Sequence, residues 1–481
     1  MWVESLTLDN IKCFRQQQIS FRRHGSARSG AEPYRWITLL GENGTGKSTA
    51  LQALALLLAG PEAAKELAPR PVGWVRDPSR LGKIGTILHA EEGDGKHPGN
   101  DDKGSPNGKT GARTSFAFSY SVTGDAPVKV GKETYTEPAL VEDSSRALSW
   151  LRANAFPSGT YGWVAAGYGP YRRISRARDI VLPGPTIETP TRASNFATVF
   201  DEDRALNTFE RWMVYLDYRI VKDPRDDRAR RMRDIGEGAL GKVLPDNTHI
   251  HDVSPDGGIR FRADGRIVPS AGLSDAYRSV VALAGDLIWR LIQAYPDLDD
   301  PTHAPGVVLI DELDIHLHPS WQRLIAGWLR EAFPRLQFVV ATHSPLIAIG
   351  AGEDACTLRL ETVEGESRIT PVKDLSAYDA DRALLSPAFG LTSTHSPDTD
   401  DKIRRYHELR RRIVVARPQA TVSTLSPDEQ EQRDYQSLSA QEQREYKGLE
   451  RFMAEAQPIG GPPEPGSLEA RIDAYLRSVL P

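Results

Sequence analysis

A lysine and a hydroxyl group follow directly on a glycine-rich turn in GENGTGKS, Gly41 to Ser48, and this pattern wraps anionic oxygens. The glycines let successive backbone N–H groups turn inward, Lys47 reaches the outer phosphates, and the Ser48 hydroxyl is a hard oxygen ligand suited to Mg2+. A second segment, VVLIDELD, Val307 to Asp314, ends an apolar run in two carboxylates. Asp311 can complete a Mg2+ shell, and Glu312 can orient or deprotonate an attacking water. Two further segments flank it, LSDAYRS, Leu273 to Ser279, and ATHSP, Ala341 to Pro345. Ser274 at a helix start can offer its hydroxyl and the neighbouring amides to a phosphate outside its own subunit, and His343 after a strand can reach a γ-phosphate. The combined chemistry is hydrolysis of a nucleoside triphosphate.

The elements that must hold these groups follow from periodicity. Alternation from Trp2 to Leu8 and the apolar run Trp36 to Leu40 read as strands, and a helix after the glycine loop runs through Ala59. Further on, a helix from Ser274 to about Ala294 precedes a buried strand, Gly306 to Ile310. A helix, Pro319 to Ala332, and a strand, Gln337 to Val340, come next. Strand and helix alternate, so the fold class is α/β with a parallel sheet. Between the halves, Thr248 to Val268 reads as hairpins broken at Pro255 to Gly258 and at Asp264-Gly265. Glu91 to Ala112 is polar, glycine-rich and aperiodic, an expected exposed loop. Beyond Asp374 helical signals replace strands. Ser426/Glu429 and Ser439/Glu442 each have capping-box spacing, predicting two short helices, with a last one from Leu468 to Leu480.

Composition narrows the function classes. The chain has 481 residues, 39% hydrophobic and 26% charged, enough for a sizeable core and against general disorder. With 60 basic and 65 acidic residues the net charge is -5, so any nucleic-acid contact has to be local. Forty Gly and 34 Pro exclude long coiled coils. Two cysteines, Cys13 and Cys356, cannot form a disulfide framework, and no long apolar span is present, so a cytoplasmic protein without membrane contact is expected.

Taken in order, LTLDNIKCF, the phosphate loop, LSDAYRS, VVLIDELDIHLHP and ATHSP resemble the ABC-type ATPases of the RecF/SMC/OLD group. YGPYRR (Tyr168 to Arg173), FDEDRAL and DIHLHPSWQR narrow the resemblance to stand-alone antiphage-defence ATPases of the Septu PtuA kind. That resemblance covers roughly residues 1 to 60 and 165 to 390. It implies an ABC-type P-loop NTPase head, its mixed or parallel sheet flanked by helices, with an inserted lobe and a C-terminal α-helical tail. It further implies that Gly41, Glu42, Asn43, Gly44, Thr45, Gly46, Lys47, Ser48 and Thr49, the Walker A loop, bind ATP, while Ser48 and Asp311 hold Mg2+. Glu312 of Walker B would activate water and His343 would sense the γ-phosphate. Ser274, Asp275 and Ala276, the ABC signature, would act in trans on a second protomer, in a head-to-tail dimer or higher even oligomer. Ala276 departs from the glycine usual there.

The expected domain division is 1–60 and 273–390 for the two halves of the head and 61–160 for a variable insertion with a flexible loop. An inserted lobe with hairpins spans 161–272 and a helical tail 391–481. Arg172, Arg173, Arg176 and Arg178 form a basic run without acids until Asp179 and are the candidate nucleic-acid contacts. Arg225 to Arg233 is interleaved with aspartates and reads as a solvated, self-neutralising helix. His316 and His318 are assigned to a dimer-facing loop, and His249 and His251 to an exposed strand face. Lys402 to Arg412, six basic residues against one acidic, is expected to pack on the acidic helices that follow. No nuclease constellation is visible in the chain; the resemblance implies a separate nuclease subunit as partner, with an HNH type as the candidate and DNA as a further candidate partner. Three readings result: a defence-complex ATPase acting as sensor, a RecF-like ATP-dependent DNA clamp, and an ATP-binding scaffold with negligible turnover.

Overall fold

Apolar runs with almost no polar interruption become the parallel strands of a six-stranded sheet, because strands covered on both faces need no alternation. Its order is Glu366–Val372, Cys356–Val363, Trp36–Gly41, Leu336–Thr342, Gly306–Ile310 and Val164–Tyr168. Every pair is parallel except the first, a hairpin that the sequence reading did not anticipate. The computed structural model describes residues 1–23, 32–95, 115–131, 133–172, 191–201, 206, 208–245, 247–254, 258–372, 375–415 and 438–455. They belong to two units, Met1–Gly390 and Leu391–Pro481.

Successive side chains on the central sheet face opposite cores. Ile37, Leu39, Val307, Leu309, Val339 and Ala341 face one, and Trp36, Val308, Ile310, Phe338 and Val340 the other. In the first core lies the helix Lys47–Ala59, apolar on nearly all sides and correspondingly buried. A five-stranded antiparallel sheet covers it, ordered Phe14–Ser20, Trp2–Ile11, Gly82–His89, Ser115–Val122 and Leu140–Glu142. Residues 61–160 are therefore no separate insertion. Ile84, Leu88, Phe116 and Phe118 lie in the same core as Val3 and Leu6. The Gln337 amide, fully buried, joins the two sheets by accepting from Val3 N at 2.7 Å and donating to Val3 O at 3.0 Å. The expected loop falls largely outside the described residues.

In the second core the helix Asp275–Ala294 packs with the helices Thr208–Lys222 and Asp227–Lys242, and with a three-stranded antiparallel sheet, Thr248–Ser254, Gly258–Ala263 and Arg266–Pro269. Three arginines of Asp227–Lys242 pair with carboxylates, Arg230 with Asp227, Arg231 with Asp299 and Arg233 with Asp217. His249 and His251 are exposed on their strand. His318 caps the helix Pro319–Ala332, its Nδ1 accepting from Ser320 N at 3.3 Å.

The second unit pairs the helices Pro397–Val415 and Ala440–Glu455 around Leu409, Ile413, Leu438 and Tyr446. Opposite charges meet across the pair: Arg405 on Glu445 at 3.0 Å and Arg412 on Glu442 at 2.6 Å. The Ser439/Glu442 capping box closes, with Ser439 N donating to Glu442 at 2.9 Å and Glu442 N to Ser439 Oγ at 3.3 Å. The Ser426/Glu429 box and the helix expected at 468–480 lie outside the described residues. Among the described residues no helix is long and apolar enough to cross a membrane.

Candidate nucleotide site

Registers Ile310 to Val340 and Tyr168, and Leu40 to Thr342, align the carboxyl ends of four parallel strands on one edge of the central sheet. That edge is where ligands bind open α/β sheets. The groups that leave it are Gly41 to Ser48, Asp311 to Asp314, His343, and the turn from Gly169 to Arg172, which brings the Walker A, Walker B and histidine segments together. Gly44 (φ 79°) and Gly46 (φ 97°) hold the left-handed backbone that turns the loop into its helix. At Gly46 a Cβ would stand 2.5 Å from Cys13 Sγ and 2.6 Å from Phe14 Cζ, so only glycine lets the loop rest against the neighbouring strand turn. Lys47 Nζ donates to Gly41 O at 2.8 Å and Glu42 O at 2.9 Å, which curls the ammonium over the loop. Burial lowers its pKa, and Asp311, Glu312 and Asp314 oppose that shift.

Asp311 and Glu312 differ in environment although they are adjacent. Asp311 is 6% exposed, with its N–H on Tyr168 O at 2.8 Å. Burial pushes its carboxyl up, and the Ser48 hydroxyl and Lys47 pull it back. Glu312 is less buried and takes φ 46°, an unusual conformation for a residue with a side chain. Burial raises its pKa first, followed by the charges of Asp311 and Asp314. A base with a raised pKa next to a phosphate site is suited to taking a proton from water.

Asp314, named in the sequence reading only as the end of its segment, organises the histidine. Its Oδ1 accepts from the Thr342 hydroxyl and from His343 N at 3.3 Å. Ser344 caps the short helix after His343 and donates to Gln322 Oε1 at 2.6 Å. Burial and then Lys47 lower the His343 pKa, so at neutral pH the imidazole is uncharged and can donate one hydrogen bond to a phosphate oxygen.

The donors present fit Mg2+. Asp311 Oδ1 is buried without a hydrogen-bond partner among the described residues, and the Ser48 hydroxyl is the second hard oxygen beside it. Among the described residues no group of three or more His, Cys, Asp or Glu forms a metal cage. Mg2+ characteristically takes one or two protein oxygens, and water and phosphate complete its shell.

The signature segment does not join this cluster. Ser274 is the N-cap of Asp275–Ala294, exposed and without a side-chain cap bond, and exposed Asp275 pairs with Arg278. Ala276 falls in the first helical turn and is absent from the positive-φ residues, so the missing glycine costs the backbone nothing. The basic run is corrected more sharply. Arg172 is 3% exposed, with Nη1 donating to Asp311 O at 2.7 Å and Gly169 O at 2.9 Å and Nη2 to Glu312 O at 3.0 Å. A guanidinium enclosed by carbonyls cannot reach a nucleic-acid backbone. Arg173, Arg176 and Arg178 lie outside the described residues.

Residues 37–349, which carry the phosphate loop, the Walker B carboxylates, His343, Arg172 and the signature segment, match the family profile described as "AAA domain, putative AbiEii toxin, Type IV TA system". The chain belongs to this AAA-domain family. Similarity extends to a Septu protein PtuA of Bacillus mycoides, 24% identical over 91% of this chain and 50% of that protein. A retron Vc95 probable ATPase of Vibrio cholerae is 38% identical over 24% of this chain and 19% of that protein. A retron Ec83 probable ATPase of Escherichia coli is 44% identical over 16% and 14%. The chain thus spans half or less of these relatives. Among solved structures, an SMC head bound to the C-winged helix domain of ScpA aligns at TM-score 0.44 and 16% identity, covering 78% of this chain and 99% of that one. The SMC head of Thermotoga maritima aligns at 0.40 and 17%, covering 78% and 100%.

Two parts of this AAA-domain site escaped the sequence reading, the Arg172 anchor and a buried network beneath it. Tyr168 Oη donates to Asp286 Oδ2 at 2.9 Å, Arg290 Nε donates to the same oxygen at 2.5 Å, and Arg290 also bonds Asn195. Asp286 and Arg290, one helical turn apart within the buried apolar stretch Val280 to Ile292, were the available signal.

Proposed function

We propose that the chain is an ATP-binding and hydrolysing ABC-type ATPase that dimerises head to tail around ATP. It would serve as the sensor subunit of a bacterial antiphage defence complex with a separate nuclease, in the cytoplasm. The observation that carries this reading is the convergence of Lys47, Asp311, Glu312 and His343 at one sheet edge, with an orphaned carboxylate oxygen among them. The relatives bearing Septu and retron names support the defence setting.

Turning amides and Lys47 hold the triphosphate, and Ser48 with Asp311 would hold Mg2+. When bound, the ion neutralises charge building on the outer phosphates. Glu312 accepts a proton from the attacking water, and His343 donates to a γ-phosphate oxygen. Exposed Ser274, facing solvent in one chain, supplies its hydroxyl and helix-start amides to the nucleotide of a second. The burial of Arg172 removes the one described residue that favoured a DNA-clamp role.

Sedimentation of the Glu312→Gln chain, which should bind but not spend ATP, tests the assembly. Doubling of mass with Mg2+ and ATP, lost in Ser274→Arg, is expected. A constant mass at saturating ATP would refute head-to-tail dimerisation.

A further inference from the structure

The guanidinium of Arg172 makes one more contact, on a third element. Its Nε donates to Ser279 Oγ at 3.3 Å, and Ser279 is a buried residue five positions after Ser274 on the signature helix. One rigid fork therefore bonds the carbonyls of both Walker B carboxylate residues, the turn after the edge strand at Gly169, and the helix whose start at Ser274 is exposed. Arg suits such a task because its planar donors address several acceptors in fixed directions, which a lysine cannot copy. The carbonyl it grips at Glu312 belongs to the residue at φ 46°, a conformation that persists only where the surroundings enforce it.

We infer that Arg172 is a positioning residue: it fixes the backbone of Glu312 so that its carboxylate meets the attacking water, and through Ser279 it ties that setting to the seating of the signature helix. The inference deepens the ATPase reading and rests on it for its kinetic consequence alone. Arg172 acts through the protein groups that enclose it, Gly169 O, Asp311 O, Glu312 O and Ser279 Oγ. Helix movement when Ser274 engages a partner's nucleotide would be felt at Glu312 of the same chain, giving the two composite sites a physical link. A second tie, Tyr168 to Asp286, joins the edge strand to the same helix.

The test uses the full chain with Arg172→Lys, Ser279→Ala and the double variant. Steady-state phosphate release should show kcat at least ~10-fold lower in Arg172→Lys with KM for ATP within about 3-fold, the split expected when ground-state binding is untouched. Ser279→Ala should lower kcat about 3-fold alone and not at all on the Arg172→Lys background, since the two would act as one unit. Independently of turnover, amide exchange in Arg172→Lys should quicken at least ~10-fold across 311–317 and stay unchanged in the strand Gly306–Ile310. Unchanged exchange across 311–317 overturns the positioning role whether or not the chain hydrolyses ATP. Equal effects of Ser279→Ala on both backgrounds overturn the link to the signature helix. A wild type without turnover, with the exchange result as expected, would refute the ATPase reading and leave the positioning role standing.

Discussion

Replacing Gly46 by alanine should unfold the phosphate loop's support, whereas the same change at Gly44, two residues earlier, should cost only backbone strain. Both glycines hold positive φ, so each substitution carries about 1–2 kcal/mol for forcing an L-residue into left-handed space. They differ in what the new methyl meets. At Gly44 no atom lies within 4 Å, but at Gly46 the methyl would stand 2.5 Å from Cys13 Sγ and 2.6 Å from the Phe14 ring. Phe14 is fully buried, so the ring cannot step aside without moving its neighbours, and overpacking of this kind costs about 1–3 kcal/mol. Gly46→Ala should therefore lose about 2–5 kcal/mol and Gly44→Ala about 1–2 kcal/mol. Urea unfolding of the two variants, followed by tryptophan fluorescence, measures the gap. Equal losses would show that the contact with Cys13 and Phe14 does not constrain the loop, and would refute the packing argument.

Three further outcomes are expected. Saturating ATP with Mg2+ should stabilise the wild type by about 2.7 kcal/mol at a hundredfold excess over Kd, and calorimetric scans of Lys47→Ala should show no such gain. His343→Ala should retain nucleotide binding and lose roughly 10-fold or more in kcat, measured by phosphate release; a change in KM alone would assign the imidazole to binding. In the tail, the half-buried Glu442 carboxylate is held down to about 2 by the Ser439 backbone N–H and by Arg412. A depressed folded pKa gives stability that is present above the ordinary value near 4.5 and lost as pH falls towards about 2. Amide protection of Ala440–Glu455 should fall in that window for the wild type and not for Glu442→Gln.

What could be read in the sequence was what is decided locally. Gly44, Gly46, Lys47 and Ser48 announce their loop because backbone conformation and ligand chemistry sit in consecutive residues. Ser439 and Glu442 announce a helix start for the same reason. The parallel strands were legible because burial on both faces removes polar residues from runs such as Gly306–Ile310. Arg172 was misread because its acceptors lie far along the chain, at Ser279, Asp311 and Glu312, and a basic run looks alike whether solvated or enclosed. Residues 61–160 were set aside for a related reason. Their strand Gly82–His89 pairs with Trp2–Ile11 across a long sequence gap, which no short-range pattern encodes. At Ala276 the helical φ, which the sequence does not display, removes the backbone cost of a missing glycine.

Phosphate release by the full chain with Mg2+ and ATP, compared between wild type and Glu312→Gln, tests the assignment of hydrolysis to this site most directly. The isosteric amide keeps the packing and the backbone but cannot accept the proton. The wild type should turn over, and the variant should still bind ATP while losing about 100-fold to 10,000-fold in kcat. Equal rates in the two chains, or turnover in neither, would contradict it.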